Sequence, residues 1–294
     1  MPQPTLDLDL AELYTFTLTL AKSAGAILVA AASPTTRLSH TLSTTEKDNA
    51  VDIVTQTDTE IESFIRTSIA SKYPTHFFLG EESYSASSEK QYLISDSTPT
   101  WCVDPLDGTV NFTHLFPMCC VSIAFILNGV PEVGVIYAPL LNQMFSARRG
   151  HGAWMNEMVP LPLAPTPIPR NAPKGCLFAC EWGKDRRDVE GGNLHRKVAS
   201  FVNLASEIGG RDGKGGMVHG VRSLGSAAMD LAYTAMGAVD IWWEGGCWEW
   251  DVAAGTVILE EAGGLVTTAN PPGDWETAEI ESAKLGGRLY LAVR

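Results

Sequence analysis

Residues 101–112 read WCVDPLDGTVNF, and this stretch carries most of the information about fold and chemistry. Its apolar start, Trp101 to Val103, predicts a short buried strand. A proline then begins a tight turn, because proline fixes φ and Asp and Gly favour turns. The turn brings Asp107 to the same side as Asp104, where two carboxylates can flank one cation. The carbonyl of Leu106 adds an oxygen ligand of the kind that Mg2+ prefers.

Gly108 and Thr109 follow this turn directly. We expect a helical turn to begin here, and the unpaired N–H groups at a helix start commonly bind phosphate. The same dozen residues would then supply both cation ligands and a phosphate cradle. Taken alone, the segment is equally compatible with an ordinary turn.

Two further segments carry acidic residues, Gly80 to Ser83 (GEES) and Trp250 to Gly255 (WDVAAG). Alone, the first indicates an acidic surface turn, and Asp251 would serve as a helix N-cap. Considered jointly with the turn, four converging carboxylates would repel one another by several kcal/mol at an effective dielectric constant of about 20. We therefore expect a strongly metal-binding site. Its four acidic residues are Glu81, Asp104, Asp107 and Asp251.

The charge balance is acidic, with 21 Lys and Arg against 34 Asp and Glu and a formal net charge of −13. This argues against a nucleic-acid partner, since such proteins present a basic face. An anionic substrate could bind to this acidic protein only where the local electrostatic potential is positive, and bound divalent cations usually provide that.

The six cysteines include no C-x-x-C pair, so we expect reduced thiols in the core of an intracellular protein. The N-terminal residues show no basic segment followed by a signal-type apolar stretch. No uncharged apolar run reaches the roughly 18 residues of a membrane span. We therefore expect a cytosolic protein without a membrane partner.

Hydrophobic periodicity predicts helices and strands in alternating groups. The predicted helices are Leu10 to Ala32, Asp58 to Lys72, Ser226 to Met236 and Asp251 to Ala262. The predicted strands are Trp101 to Val103, Cys119 to Leu127, Val133 to Tyr137 and Met144 to Ala147. Asn128-Gly129 is expected to form the turn between the second and third of these strands.

Polar and proline-rich segments are expected to connect these elements. Thr36 to Lys47 and the glycine-rich run Gly209 to Gly216 are predicted to be loops. Pro160 to Pro173 holds six prolines and predicts an extended connection. This divides the chain into residues 1–172, with most of the metal ligands, and residues 173–294, with Asp251.

The chain resembles the inositol monophosphatase family of magnesium-dependent, lithium-sensitive phosphatases. Besides the acidic motifs, the resemblance rests on further segments in the family's order. These are Val51–Asp58 (VDIVTQTD), His114–Ala124 (HLFPMCCVSIA), Gly150–Asn156 (GHGAWMN), Val218–Ala228 (VHGVRSLGSAA) and Glu244–Gly255. The form DGTVNF looks like the inositol-phosphate branch. The resemblance implies an αβαβα sandwich, a layered α/β fold, with two to three Mg2+ ions and a homodimer.

The resemblance also implies the metal ligands. A first metal would be bound by Glu81, Asp104 and the carbonyl of Leu106. A second would be bound by Asp104, Asp107 and Asp251.

The resemblance implies catalytic roles for three residues. Asp58 would hydrogen-bond Thr109, and Thr109 with Glu81 would orient the attacking water. Gly108, Thr109 and Asp107 would lie against the phosphate.

The alcohol part of the substrate has its own implied contacts. Glu244 would accept a hydrogen bond from a substrate hydroxyl, and the backbone around Ser226 and Ala227 would bind there too. Lys47 and Asp52 lie in the stretch that frames the metal site.

Two features depart from the family pattern. Lys184 stands near a position at the substrate rim where the family often has a small polar residue. The segment Glu181 to Gly216 is longer than usual for the animal enzymes. We expect hydrolysis of a small polyol or sugar phosphate monoester, with myo-inositol 1-phosphate as the first candidate. The alternatives are another small ester, as in fungal quinate-pathway relatives, or a catalytically silent ligand-binding relative.

Overall fold

The computed structural model describes residues 8–39, 44–47, 50, 52–86, 94, 98–270, 272–274 and 277–294. The helices within these residues are α1 (Leu10–Ala32), α2 (Pro34–Ser39), α3 (Gln56–Lys72), α4 (Glu81–Ser85), α5 (Thr109–Thr113), α6 (Asn193–Ala205), α7 (Gly210–Gly213), α8 (Ala227–Met236) and α9 (Glu249–Glu261). The strands are β1 (Thr44–Glu46), β2 (Ile53–Thr55), β3 (Phe77–Gly80), β4 (Thr100–Asp107), β5 (Cys120–Leu127), β6 (Val130–Ala138), β7 (Gln143–Arg148), β8 (Ala153–Met155), β9 (Val159–Pro160), β10 (Leu177–Cys180), β11 (Gly220–Arg222), β12 (Ile241–Gly245), β13 (Leu265–Thr267) and β14 (Leu289–Val293).

The larger sheet has seven strands in the order β3-β4-β5-β6-β7-β8-β9. Only its first pair, β3 and β4, is parallel. Asn128 and Gly129 have φ angles of 53° and 75°, which a tight two-residue hairpin turn requires, so the predicted turn is confirmed. The central strands are buried on both faces, which explains their continuous apolar sequence.

The smaller sheet has five strands in the order β11-β10-β12-β14-β13. Helices α8 and α9 contact strands of both sheets, α1 and α3 cover the other face of the larger sheet, and α6 packs on β10 and β11. At Gly134 in β6, a Cβ would lie 2.5 Å from the carbonyl oxygen of Ala254, so glycine allows the close approach of α9. These layers form an αβαβα sandwich and confirm the predicted fold class.

The strands of the larger sheet end at Pro160, where the proline-rich connection begins, and the strands of the smaller sheet follow that connection. One apolar core nevertheless joins strands of both sheets through α8 and α9. The division into residues 1–172 and 173–294 as separate domains stays a prediction.

Several boundaries differ from the sequence predictions. The loop predicted for Thr36 to Lys47 is wrong in part, because α2 begins with Pro34 at a favoured first helical position and β1 pairs with β2. Residues 40–43 of that predicted loop lie outside the described residues, as does Val51. Within Gly209 to Gly216 the chain forms the short turn α7. Helix α9 begins at Glu249 rather than Asp251.

Among the helices of the described residues, α1 alone is long and apolar enough to cross a membrane, with a mean hydropathy of 1.5. In this fold its apolar side packs into the core against the larger sheet, with Leu13, Leu20 and Leu28 buried. All six cysteines are free and buried, as predicted. The cytosolic location stays a prediction.

Candidate active site

The turn between Asp104 and Asp107 lies inside β4, which continues past the predicted end of the strand. The register to β5 shifts between these two residues, as in a β-bulge, which directs side chains away from the regular alternation. The backbone N–H of Leu106 donates to Oδ1 of Asp104 at 2.9 Å. Asp104 and Asp107 both line one cavity of about 300 Å³.

Asp107 is held at the start of α8. Its Oδ2 accepts hydrogen bonds from the hydroxyl of Ser226 and from the N–H of Ala228, both at 2.7 Å. A carboxylate at a helix N-terminus is stabilised by the helix dipole. Ser226 and Ala227 line the cavity, but the Ser226 hydroxyl is directed to Asp107.

Asp251 reaches the same cavity from the first turn of α9. Its Oδ2 accepts a hydrogen bond from the N–H of Trp248 at 2.6 Å, so it acts as the third residue of the helix and not as the N-cap. One carboxylate oxygen from each of Asp104, Asp107 and Asp251 lies within 4.8 Å of the others.

The electrostatics of these three carboxylates favour cation binding. Burial, with the neighbouring charges of Glu81, Asp107 and Asp251, raises the pKa of Asp104 well above its usual value. Burial and the charges of Asp107 and Glu81 raise the pKa of Asp251 to about 8. A divalent cation relieves this repulsion, and an all-oxygen donor set suits Mg2+, so the residues fit such an ion.

Glu81 lies at the start of α4 and lines the same cavity, outside the group of three. Its Oε1 lies 3.2 Å from Nζ of Lys47 and 3.5 Å from Nζ of Lys184. The start of α4 is fixed by Glu62, whose carboxylate accepts hydrogen bonds from the N–H groups of Glu82 and Ser83 at 2.7 and 2.9 Å.

The lysines beside Glu81 make further ion pairs. Nζ of Lys184 lies 2.7 Å from Oδ1 of Asp52, and Nζ of Lys47 lies 2.9 Å from the carboxylate of Glu82. Burial alone would lower the pKa of Lys47, but Glu81 and Glu82 raise it to about 12. Both side chains are therefore fully charged beside the acidic cluster.

Thr109 makes the predicted hydrogen bond to Asp58. Its Oγ1 donates to Oδ1 of Asp58 at 3.0 Å and also lies 3.1 Å from the carbonyl oxygen of Leu106. Asp58 is fixed in turn by the N–H of Thr55 at 2.9 Å and by the Thr55 hydroxyl. Burial raises the pKa of Asp58 to about 6. The carbonyl of Leu106, a predicted metal ligand, thus faces Thr109 in this structure.

Gly108 precedes α5 with a φ of 86°, and a Cβ there would lie 2.7 Å from the carbonyl oxygen of Met118. Only glycine fits both conditions without strain. The predicted helical turn begins at Thr109, as expected. The side chain of Asn111 donates to the carbonyls of Met118 at 2.6 Å and Leu224 at 2.7 Å, which ties this turn to the segment before α8.

Glu244 lines the cavity at the end of β12. Its Oε2 is buried and has no hydrogen-bond partner among the described residues. Burial raises the pKa of Glu244 to about 8.

Several residues of the site were missed by the sequence reasoning. Glu181 accepts hydrogen bonds from the N–H groups of Leu224 at 2.5 Å and Gly225 at 2.9 Å and so positions the segment before α8. Trp182 and Trp248 line the cavity. Asn111 stood within the quoted motif, which was the one available signal.

Comparison with known proteins places this geometry in a family. The sequence profile of the inositol monophosphatase family matches residues 9–291. The quinic acid degradation cluster protein x of Neurospora crassa is 62% identical in an alignment that covers 97% of this chain and 87% of that protein. Inositol monophosphatase 2 of Saccharomyces cerevisiae is 42% identical over 250 residues, which cover 85% of this chain and 78% of that protein. The solved structure of an inositol monophosphatase from Anabaena (Nostoc) sp. PCC 7120 matches with a TM-score of 0.72 and 30% identity, covering 97% of this chain and 92% of the other. The chain therefore belongs to the inositol monophosphatase family, a family of phosphoric monoester hydrolases.

Proposed function

We propose that this protein uses bound Mg2+ to hydrolyse a small polyol or sugar phosphate monoester. Water attacks phosphorus, the P–O bond to the alcohol breaks, and the products are the free alcohol and inorganic phosphate. The observation that carries the proposal is the convergence of Asp104, Asp107 and Asp251 on one cavity, beside the turn at Gly108.

Glu81 and the three clustered aspartates would hold the metal. When bound, Mg2+ lowers the pKa of a coordinated water and neutralises charge on the phosphate. The number of ions, two to three, stays a prediction.

Residues of the chain position the reactants. Because the Thr109 hydroxyl donates to Asp58, its oxygen lone pairs are left to accept a hydrogen bond from the attacking water. Glu81 lies on the same cavity wall and is proposed to orient that water with Thr109. The N–H groups of Gly108 and Thr109 are proposed to donate to phosphate oxygens.

The alcohol part of the substrate is proposed to be a polyol, with myo-inositol 1-phosphate as the first candidate. Glu244 supports this, since it lines the cavity and a carboxylate there can accept a hydrogen bond from a ring hydroxyl. A second candidate is a phosphate ester related to quinic acid. It is favoured by the 62% identity to the quinic acid degradation cluster protein, against 42% to the yeast inositol monophosphatase.

A phosphate-release assay over inositol, sugar and nucleotide phosphates would test the proposal. We expect Mg2+-dependent release from cyclic polyol phosphates, and loss of activity with EDTA. Full activity in metal-free protein would overturn the metal role. Absence of release from every ester, with Mg2+ present, would favour a catalytically silent relative.

Three further properties are proposed for this chain, of which the family implies lithium sensitivity and the homodimer, and the sequence composition suggests the cytosolic location. Lithium should inhibit at millimolar concentration and uncompetitively with substrate, and a purely competitive pattern would contradict the second metal position. Sedimentation would test the homodimer, and microscopy of the tagged protein in its host would test the cytosolic location.

A further inference from the structure

Two basic side chains lie in the wall of the active-site cavity in addition to the carboxylates. Lys184 and Arg186 both belong to the segment between β10 and α6, where the sequence departs from the family pattern. The same two residues also line an adjoining cavity of about 1320 Å³. They therefore lie where the active site continues outward.

Arg186 keeps donors available for a ligand. Its Nε donates to the carbonyl of Gly183 at 2.7 Å, and its guanidinium carbon lies 5.9 Å from the centroid of the Trp182 ring. Among the described residues, no carboxylate lies within ion-pair distance of its side chain. The neighbouring Arg187 differs, because Asp185 binds its guanidinium through two nitrogens at 2.8 and 2.9 Å.

Lys184 places a second positive charge at the edge of the acidic cluster. Its Nζ lies 2.7 Å from Asp52 and 3.5 Å from Glu81, and its side chain is 53% exposed. The ammonium group is thus fixed near the cluster and still open to the cavity.

These two charges exceed what a simple monophosphate requires. In the proposed function, the metal site and the turn at Gly108 already bind the phosphate, and Glu244 binds a hydroxyl. The other charged residues that line the cavity are carboxylates, which bound Mg2+ would largely neutralise, so Lys184 and Arg186 would then supply positive charge in its wall. Such a pair attracts an anionic group on the rest of the substrate, which Arg in particular binds through paired N–H donors.

We propose that Lys184 and Arg186 form a second anion subsite, which binds a carboxylate or a second phosphate on the alcohol part of the substrate. The inference rests on the proposed function and narrows its substrate class. The substrate is then a phosphate monoester of a polyol that carries another negative group.

Three esters of one sugar ring would test the subsite. Glucose 1-phosphate has a neutral CH2OH group at carbon 6, glucuronic acid 1-phosphate has a carboxylate there, and glucose 1,6-bisphosphate has a second phosphate. We expect kcat/KM for release of the 1-phosphate to be about tenfold higher for at least one charged ester than for glucose 1-phosphate. The preferred ester tells whether the subsite takes a carboxylate or a phosphate.

The variants Arg186→Gln and Lys184→Gln should each bring this ratio back toward one. Arg187→Gln is the matched control, because Arg187 is not among the residues that line the active-site cavity and its guanidinium is bound by Asp185, and it should keep the wild-type ratio. A wild-type ratio of one or less for both charged esters, or an unchanged ratio in Arg186→Gln, would overturn the subsite.

The subsite and the proposed function can be refuted independently of each other. If the wild-type protein hydrolyses p-nitrophenyl phosphate but shows no preference for either charged ester, the subsite alone is refuted. If no ester is hydrolysed, the proposed function is wrong, and calorimetric dissociation constants for the same three compounds decide the subsite. Equal affinities in wild type and Arg186→Gln would then refute it.

Discussion

The Nζ of Lys197 lies 3.8 Å from the centroid of the Trp243 ring, and the lysine is fully buried between α6 and β12. This Nζ has no hydrogen-bond partner among the described residues, so the aromatic face and nearby carboxylates compensate its charge. The next residue on β12 is Glu244. Burial raises the pKa of Glu244, and the charge of Lys197 acts in the opposite direction. Lys197 therefore favours the ionised form of a carboxylate that faces the active-site cavity.

Lys197→Met should weaken binding of polyol esters. Without the buried charge the pKa of Glu244 rises further, so less of it is ionised at pH 7 and able to accept a charge-assisted hydrogen bond. We expect KM for inositol 1-phosphate to rise about three- to tenfold, in line with 1–1.5 kcal/mol for such a bond. KM for p-nitrophenyl phosphate, which has no ring hydroxyl, should change little.

Lys214→Met is a suitable control, since Lys214 is exposed and is not among the residues that line the cavity. A rise in KM for inositol 1-phosphate that diminishes above pH 8 supports the role assigned to Lys197. An equal change for both esters would show that Lys197 acts only through packing.

The stability of the metal-free protein should fall with pH partly because of Glu244. The pKa of Glu244 is about 8 in the folded protein, against a usual 4.5. Its contribution to stability is thus fully present below pH 4.5 and is lost as pH rises through 8. The titratable groups around it are Lys197, Glu181, Asp251 and Cys247.

Glu244→Gln removes this titration. In EDTA, the wild-type melting temperature should fall more between pH 6 and pH 9 than that of Glu244→Gln. Parallel melting curves for the two proteins over this range would contradict the raised pKa.

The convergence of the acidic residues could be predicted from sequence because they lie in short motifs. Asp104, Asp107 and Thr109 are placed by one bulged turn, whose proline and glycine fix the backbone locally. Asp251 lies in the same cavity as Asp104 and Asp107, although its helix begins two residues earlier than predicted.

The supporting residues could not be found in this way, because their contacts are distant in sequence. The carboxylate of Glu181 accepts hydrogen bonds from N–H groups 43 and 44 residues later in the chain. The carboxylate of Glu62 accepts one from an N–H group 21 residues later. Each is a single acidic residue whose burial has no local signal, Glu62 within an amphipathic helix and Glu181 after an apolar run. Lys197 lies in the polar sequence NLHRKVASF, where burial of one lysine has no local signal.

Asp104→Asn should abolish most of the catalysis and keep the fold. The amide retains the shape of Asp104 but removes a charge that the metal site requires. We expect turnover to fall at least about a thousandfold, or roughly 4 kcal/mol of activation free energy. Circular dichroism should be unchanged, and Mg2+ should raise the melting temperature of wild type far more than that of the variant. A loss below about tenfold would remove Asp104 from the metal site.

Glu62→Gln should reveal how the start of α4 controls the metal site. The carboxylate of Glu62 accepts hydrogen bonds from the N–H groups of Glu82 and Ser83 and thereby orients Glu81 toward the cavity. The amide can keep only one acceptor oxygen, so one buried N–H loses its partner at a cost of about 1–3 kcal/mol. We expect part of this loss to appear as about a tenfold weaker affinity for Mg2+.

The expected pattern is a higher Mg2+ concentration for half-maximal activity, with kcat recovered at saturating Mg2+. Glu60→Gln, an exposed position on the same helix, is the matched control and should leave the Mg2+ dependence unchanged. A reduced kcat that Mg2+ does not restore would mean that Glu62 acts on the attacking water or the fold. An unchanged Mg2+ dependence would show that Glu81 is oriented without Glu62, by its contacts with Lys47 and Lys184 alone.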